Sequence, residues 1–239
     1  MTSTKPGILH LIPVPLGDID PHLALAPSAV LAACALDYFF AENGKSARQF
    51  LKSIRHPRPL RELQIETFDK DSDAARADAL VQSVFAGRSA GVLSEAGSPA
   101  IADPGALLAA AAHRNNVRVI PHVGPSAILL ALMASGFNGQ RFAFHGYLPV
   151  PRDELKRAIV ACEHESSERD VTQIFIETPY RNDQLLAAFC ETAADKSQLC
   201  IASDVTLDTE TVRSSTIATW KKNKTEIGRR PSVFLFYAR

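Results

Sequence analysis

Hydrophobic positions in the first half of the chain form short unbroken runs separated by stretches of helical spacing. Ile8 to Val14 (I-L-H-L-I-P-V) has the near-continuous apolar character of a strand buried on both faces of a parallel sheet, and it stops at the sharp turn Pro15-Leu16-Gly17-Asp18. An Ala-rich helix follows, then a second strand over Leu36 to Phe40. Asp71, Ser72 and Asp73 are N-cap candidates for a helix in which Ala77, Leu80, Val81 and Val84 recur every three or four residues until Gly87 stops it. Ser89 to Leu93 reads as the next strand, ending in a Gly/Pro-rich loop from Ser94 to Gly105. The helix Ala106 to Arg114 carries His113 and Arg114 where the C-terminal end of its dipole favours cations, and Val117 to His122 is a further strand. Val123-Gly124-Pro125-Ser126 then opens a helix that ends at Gly136.

The rhythm changes in the second half. Phe142 to Tyr147, Gln173 to Glu177, Gln198 to Ala202, Thr216 to Trp220 and Ser232 to Ala238 read as five strands, with helices near Arg152 to His164 and Asn182 to Ala194 and none between the last three strands. The expectation is an α/β protein of two α/β domains. Residues 1–124 form a Rossmann-like parallel sheet with helices on both faces, and residues 125–239 form a second domain on a mixed sheet. Ligands of open parallel sheets bind outside the carboxyl ends of the strands, where the turn Pro15 to Asp18, the loop Ser94 to Gly105 and the segment Val123 to Ser126 all fall.

Composition narrows the partners. Lys plus Arg equals Asp plus Glu at 26 each, so no whole-molecule basic field exists to hold nucleic acid, and any such contact must come from a local patch. One is present: Lys45, Arg48, Lys52, Arg55, Arg58 and Arg61, with His56, share the span Lys45 to Arg61 with no acidic residue. It reads equally as a phosphate-binding surface and as a solvated helix face. A second cluster, Lys221, Lys222, Lys224, Arg229 and Arg230, follows the only Trp. The four cysteines are widely spaced, and the histidines His10, His22, His113, His122, His145 and His164 show no paired ligand spacing, so no metal is expected. His122 and His145 stand at strand ends, where a lone imidazole could act as a base. Met1 to His10 lacks the pattern of a signal peptide, and neither Ala24 to Ala41 nor Ser126 to Phe137 is long and apolar enough to span a bilayer; a cytoplasmic protein with no membrane contact is expected.

The loop L-S-E-A-G-S-P-A-I-A-D-P-G (Leu93 to Gly105) packs two glycines and two prolines behind a buried strand, which lets backbone approach a ligand closely. It lacks the spacing of a nucleophile elbow or a phosphate cradle. Followed by V-I-P-H-V-G-P-S-A (Val119 to Ala127), A-S-G (Ala134 to Gly136), F-H-G-Y-L-P (Phe144 to Pro149) and E-T-P-Y-R (Glu177 to Arg181), it resembles the tetrapyrrole methylase superfamily, nearest to the branch that methylates a cytidine ribose 2′-oxygen in small-subunit ribosomal RNA. Where that branch carries E-D-T-R, this chain has Glu42-Asn43-Gly44-Lys45; where it has H-E-H-N-E, this chain has Asp69-Lys70-Asp71-Ser72-Asp73.

The resemblance implies an S-adenosylmethionine-dependent methyltransferase, usually a homodimer without metal, its cofactor held in a cleft between domains. It places the cofactor at Pro15, Gly17 and Asp18; at Ser94, Glu95, Ala96, Gly97, Ser98 and Ile101; at Gly124, Pro125, Ser126 and Ala127; and at Tyr147, Leu148 and Pro149. A ribose hydroxyl is far too weak an acid to ionise near neutrality, so transfer to it requires a base or a stabilised alkoxide. Glu42, Glu177 and Arg181 are the catalytic candidates, with Tyr180 as a donor. RNA as acceptor, a tetrapyrrole or other small metabolite as acceptor, and cofactor binding without catalysis all stand as readings of the sequence.

Overall fold

The computed structural model describes residues 5–223 and 225–239; Met1–Thr4, part of the segment read for a signal peptide, and Lys224 of the second basic cluster lie outside the described residues. The chain divides into two compact units, Met1–Ser126 and Ala127–Arg239.

The first unit runs β1 (Ile8–Ile12), α1 (Pro21–Ala24), α2 (Pro27–Ala35), β2 (Tyr38–Ala41), α3 (Gly44–Ser53), β3 (Gln64–Thr67), α4 (Ala74–Phe85), β4 (Ala90–Leu93), α5 (Gly105–Arg114) and β5 (Arg118–Pro121). All five strands are parallel, in the order β3-β2-β4-β1-β5. Alternation of side chains splits the core in two. Leu9, Phe40, Val92 and Leu108 pack with α4 and α5 on one face, and Ile12, Phe39, Leu93 and Leu51 pack with α2 and α3 on the other. β1 and β4 are neighbours whose chains leave toward opposite faces, the topological switch at which such sheets open a crevice.

Three expectations for this unit shift. The second strand begins at Tyr38, because Leu36 still closes α2 through its amide to Ala33 O (3.2 Å) and Asp37 turns out to pair with Arg58 and Arg88. β3 lies outside the predicted set: its sequence Q-I-E-T has no apolar run because it is an edge strand bonded to β2 alone. Asp73 is the residue of its triplet that caps α4, accepting from the amide of Arg76 at 2.8 Å.

The second unit runs α6 (Ala127–Ser135), β6 (Phe142–Phe144), α7 (Arg152–Arg169), β7 (Thr172–Glu177), α8 (Asn182–Thr192), β8 (Gln198–Ser203), β9 (Thr211–Thr216), α9 (Ile217–Lys222) and β10 (Ser232–Tyr237). Its sheet is mixed, in the order β6-β7-β10-β8-β9, with only β6 and β7 parallel. Phe175, Phe189, Phe234 and Phe236 form its core with α7, α8 and α9, and α6 packs on β8, β9 and β10. The phenylalanines of the last strand are therefore buried. The strand expected over Thr216 to Trp220 is a helix that interrupts the last strands. The Thr216 side chain caps it by accepting the Thr219 amide, and the three-residue spacing of Ile217 and Trp220 buries both, which alternation in a strand would prevent. Among the described residues no helix is long and apolar enough to cross a membrane.

The Trp220 indole donates to Leu199 O at 2.9 Å inside this core. Trp220→Phe keeps most of the apolar volume but deletes that hydrogen bond, and denaturant titration should show a loss of about 0.5–1.5 kcal/mol.

Candidate functional site

The first unit assembles three loops at the carboxyl ends of its strands. The chain leaving β1 and the chain leaving β4 exchange two hydrogen bonds, Val14 N to Gly97 O at 2.9 Å and Gly97 N to Val14 O at 3.1 Å, an isolated antiparallel bridge beyond the parallel sheet. Ser94 Oγ also donates to Gly97 O (2.9 Å), and Ser98 Oγ donates to Pro125 O (3.0 Å), tying in the segment after β5. Pro15, Gly17, Asp18, Ser94, Glu95, Gly97, Ser98, Gly124, Pro125 and Ser126 are thus gathered around one bridge, with Ile101 exposed further along the loop.

Two glycines are required by this approach. Gly97 sits at φ +72°, and a Cβ there would lie 3.0 Å from the Leu16 side chain. At Gly124 a Cβ would fall 2.3 Å from the Pro13 Cβ. Beside the bridge opens a cavity walled by Leu16, Gly17, Asp18, Phe50, Ser94 and Glu95. Apolar walls with two carboxylates suit a ligand that combines an apolar ring with positive charge, which is the make-up of S-adenosylmethionine.

Asp103 is the residue that pattern reading missed. Its Oδ1 accepts the amides of Ala100 (2.8 Å) and Gly105 (2.7 Å), clamping a loop in which Ala100 and Ala102 both adopt left-handed backbone (φ 68° and 62°). Its Oδ2 is buried without a hydrogen-bond partner. Burial pushes the Asp103 carboxyl above its ordinary value, against the two amides that pull it down. The only sequence signal was an Asp two residues before a glycine, the spacing of an Asx turn.

Glu42 follows β2 and lines a small cavity with Asp103, Leu93 and Pro104. Burial raises its carboxyl above the ordinary value, and the negative charges of Asp103, Glu95 and Asp69 add to the rise. His122 stacks on His10 with Nε2 2.9 Å from Nδ1; burial lowers both imidazoles, and for His10 the neighbouring His122 and Arg118 lower it further. The two rings serve each other as hydrogen-bond partners.

In the second unit, Ala127 begins α6. The segment after β6 turns at Gly146 (φ +68°), whose carbonyl accepts the Ile176 amide at 2.9 Å; Tyr147 is left exposed, Leu148 is in the core and Pro149 follows. His145 is held by Gln173, which also donates to Glu165. Glu177 and Arg181 are brought together as a buried pair, Arg181 Nη1 to Glu177 Oε2 at 3.3 Å, with side-chain exposures of 12% and 0%. Glu177 Oε1 accepts the amide and hydroxyl of Thr178. Tyr180, between them, is exposed.

With this geometry in place the comparisons decide the family. The sequence pattern of the Tetrapyrrole (Corrin/Porphyrin) Methylases matches residues 9–220. The chain belongs to the tetrapyrrole methylase family. It is accordingly an S-adenosylmethionine-dependent methyltransferase, and its relatives carry a consistent name. "Ribosomal RNA small subunit methyltransferase I" of Xylella fastidiosa (strain Temecula1) is 32% identical over 90% of this chain and 75% of that protein. Those of Vibrio cholerae and Bacillus subtilis are 26% and 27% identical over 89% of this chain, covering 71% and 68% of their own lengths. Among solved structures, the methyltransferase CobJ superposes with a TM-score of 0.64 at 17% identity, covering 97% of this chain and 94% of that one. Uroporphyrin-III C-methyltransferase from Thermus thermophilus, solved with S-adenosyl homocysteine, gives 0.57 at 14% identity and 97% coverage of both. At that identity these structures establish the fold.

Two outcomes follow. Gly97→Val places a branched side chain at positive φ against Leu16, and calorimetric titration with S-adenosylhomocysteine should show at least a ~10-fold loss of affinity in a folded variant; unchanged affinity would put the cofactor elsewhere. Removing one member of the Glu177–Arg181 pair strands a buried charge, so Glu177→Ala and Arg181→Ala should each cost about 3–5 kcal/mol in denaturant titration and the double variant less than their sum.

Proposed function

We propose that the protein transfers the methyl group of S-adenosylmethionine to a ribose 2′-hydroxyl in small-subunit ribosomal RNA. The observation that carries this reading is its similarity, along nearly the whole chain, to relatives named for that RNA. Pro15, Gly17 and Asp18, with Ser94 to Ser98 and Ile101, are the cofactor contacts of the first unit, and Gly124, Pro125 and Ser126 complete that loop set; the family resemblance also implies Ala127, Tyr147, Leu148 and Pro149. The active species is a homodimer, as the family resemblance implies, working in the cytoplasm where ribosomal subunits are built. Light scattering should give twice the 25.9 kDa of one chain.

The cofactor's sulfonium supplies an activated methyl group, which leaves the protein to align the acceptor, exclude water and take the hydroxyl proton. Glu42 is the group best suited to that last task. Its carboxyl is more basic than an ordinary glutamate because burial and three neighbouring carboxylates disfavour its charge, and a stronger base accepts an alcohol proton more readily. Glu177 and Arg181 support the reaction as a buried, mutually neutralising pair that fixes the turn after β7.

The reading is tested with small ribosomal subunits from a strain lacking the modification, incubated with methyl-labelled cofactor. Label should enter the RNA at a ribose that thereby becomes resistant to alkaline cleavage. Label in a tetrapyrrole or other small molecule instead would replace the acceptor, and cofactor binding without any transfer would favour the non-catalytic reading. Glu42→Gln should lower turnover by about 10²–10⁴-fold with little change in cofactor affinity. The same substitution should stabilise the fold at neutral pH. Because the folded carboxyl titrates above its unfolded value, its favourable contribution is complete below the unfolded value and is lost as pH rises through the folded one. A variant that loses both turnover and stability would make Glu42 a structural residue.

A further inference from the structure

The basic span Lys45 to Arg61 is sorted by the fold into committed and free charges. Arg58 pairs with Asp37 at 2.6 Å, and His56 holds the Leu36 carbonyl at 2.9 Å, so this part of the span serves the first unit's own surface. Lys45, Arg48 and Lys52 are different. They are exposed on α3, and among the described residues no carboxylate lies within ion-pair distance of any of them. At 100° per residue they fall within an arc of about 60° on that helix. Arg55 extends the row from the left-handed residue just past the helix end (φ 55°), where it too is exposed.

The row has a fixed relation to the cofactor loops. The adjoining side of α3 carries Ser46, Gln49 and Ser53, which wall the cavity containing Leu16, Asp18 and Glu95. Ser46 Oγ donates to Glu95 Oε1 at 2.7 Å, pinning the helix to the loop after β4. Asn43 caps the helix by accepting the Lys45 amide at 2.8 Å, so the position at which this chain departs from E-D-T-R builds the start of the row. One helix therefore lines the cavity with Ser46, Gln49 and Ser53 on one flank and presents unpaired cations on its crest.

We infer that the crest of α3, formed by Lys45, Arg48, Lys52 and Arg55, is the surface on which the acceptor's single-stranded RNA backbone docks, placing a nucleoside beside the cavity bounded by Gln49 and Ser53. The inference rests on the RNA reading of the function and gives it a location. Charge complementarity selects the occupant. Four unpaired cations spaced along about 15 Å of helix match successive phosphates of a flexible strand, whereas the acidic cavity beside them repels phosphate and so keeps the strand on the crest. In the second cluster, by contrast, Lys221 is paired with Asp195 and Arg230 with Asp204.

The probe is a fluorescein-labelled 20-nucleotide single-stranded RNA, followed by anisotropy as salt is varied. Four phosphate contacts give a log–log slope near −3, an affinity loss of about 50-fold between 50 and 200 mM salt. The variant K45Q/R48Q/K52Q should flatten the slope by about 2 and weaken binding at least ~10-fold at 100 mM salt, whereas K221Q/K222Q should match the parent. Single variants K45Q and K52Q, each expected to remove about 0.7 from the slope, keep the test valid should the triple variant fold poorly. Three results overturn the inference: no RNA binding by the parent, an unchanged slope in the α3 variants, or tighter binding to phosphatidylglycerol vesicles than to RNA. S-adenosylhomocysteine titration of the same preparations separates the readings. A parent that binds RNA through α3 but no cofactor removes the methyltransferase reaction and keeps the docking surface; the converse removes the docking surface alone.

Discussion

Two hydrogen bonds between Val14 and Gly97 hold the candidate site together. Parallel strands leave their carboxyl ends diverging, and here β1 and β4 send their chains to opposite faces of the sheet. The bridge pulls the two departing segments back into contact, which sets the turn Pro15 to Asp18 against the loop Ser94 to Ile101. Each nearby oddity follows from that approach. Gly97 needs positive φ to present both its amide and its carbonyl to Val14, Gly124 must lack a Cβ because Pro13 occupies the space, and two alanines enter left-handed backbone to bring the loop round to α5. Asp103 offsets that cost by satisfying two amides with one oxygen.

The charge pattern around the bridge is as informative as its geometry. A formal net charge of zero conceals a local separation in which Glu42, Glu95, Asp18 and Asp103 gather by the loops while Lys45, Arg48 and Lys52 project from the neighbouring helix. Burial raises the proton affinity of the Glu42 carboxyl and the charges of Asp103, Glu95 and Asp69 add to the rise, which is costly to the fold and useful to a reaction that must accept a proton from an alcohol. Cations placed outside the cavity draw a polyanion to its edge without neutralising the acids within it. Among the described residues of the second unit the most deeply buried ion pair, Glu177 with Arg181, lies at the turn after β7.

Much of this organisation is legible in the chain because it depends on local signals. Continuous apolar runs revealed β1 and β4, Gly and Pro marked the loops between them, and ordered motifs connected the whole to its family. What escaped reading depends on long-range partners. β3 has a polar sequence because it borders a single strand, and the helix at Ile217 looks like a strand until the Thr216 cap and the burial of Trp220 are seen. Asp103 is one ordinary acid whose role comes from amides three residues before and two after it. The run from Lys45 to Arg61 shows six cations in sequence, but only Asp37, distant in the chain, removes Arg58 from the set.

Backbone hydrogen exchange with and without S-adenosylhomocysteine tests the central claim most directly, because it reports on the two bridged segments at once. The account predicts slowed exchange on cofactor addition at the amides of residues 16–18 and 94–98, with Gly97 among the most protected. Cofactor that binds while exchange in both segments stays unchanged would contradict it.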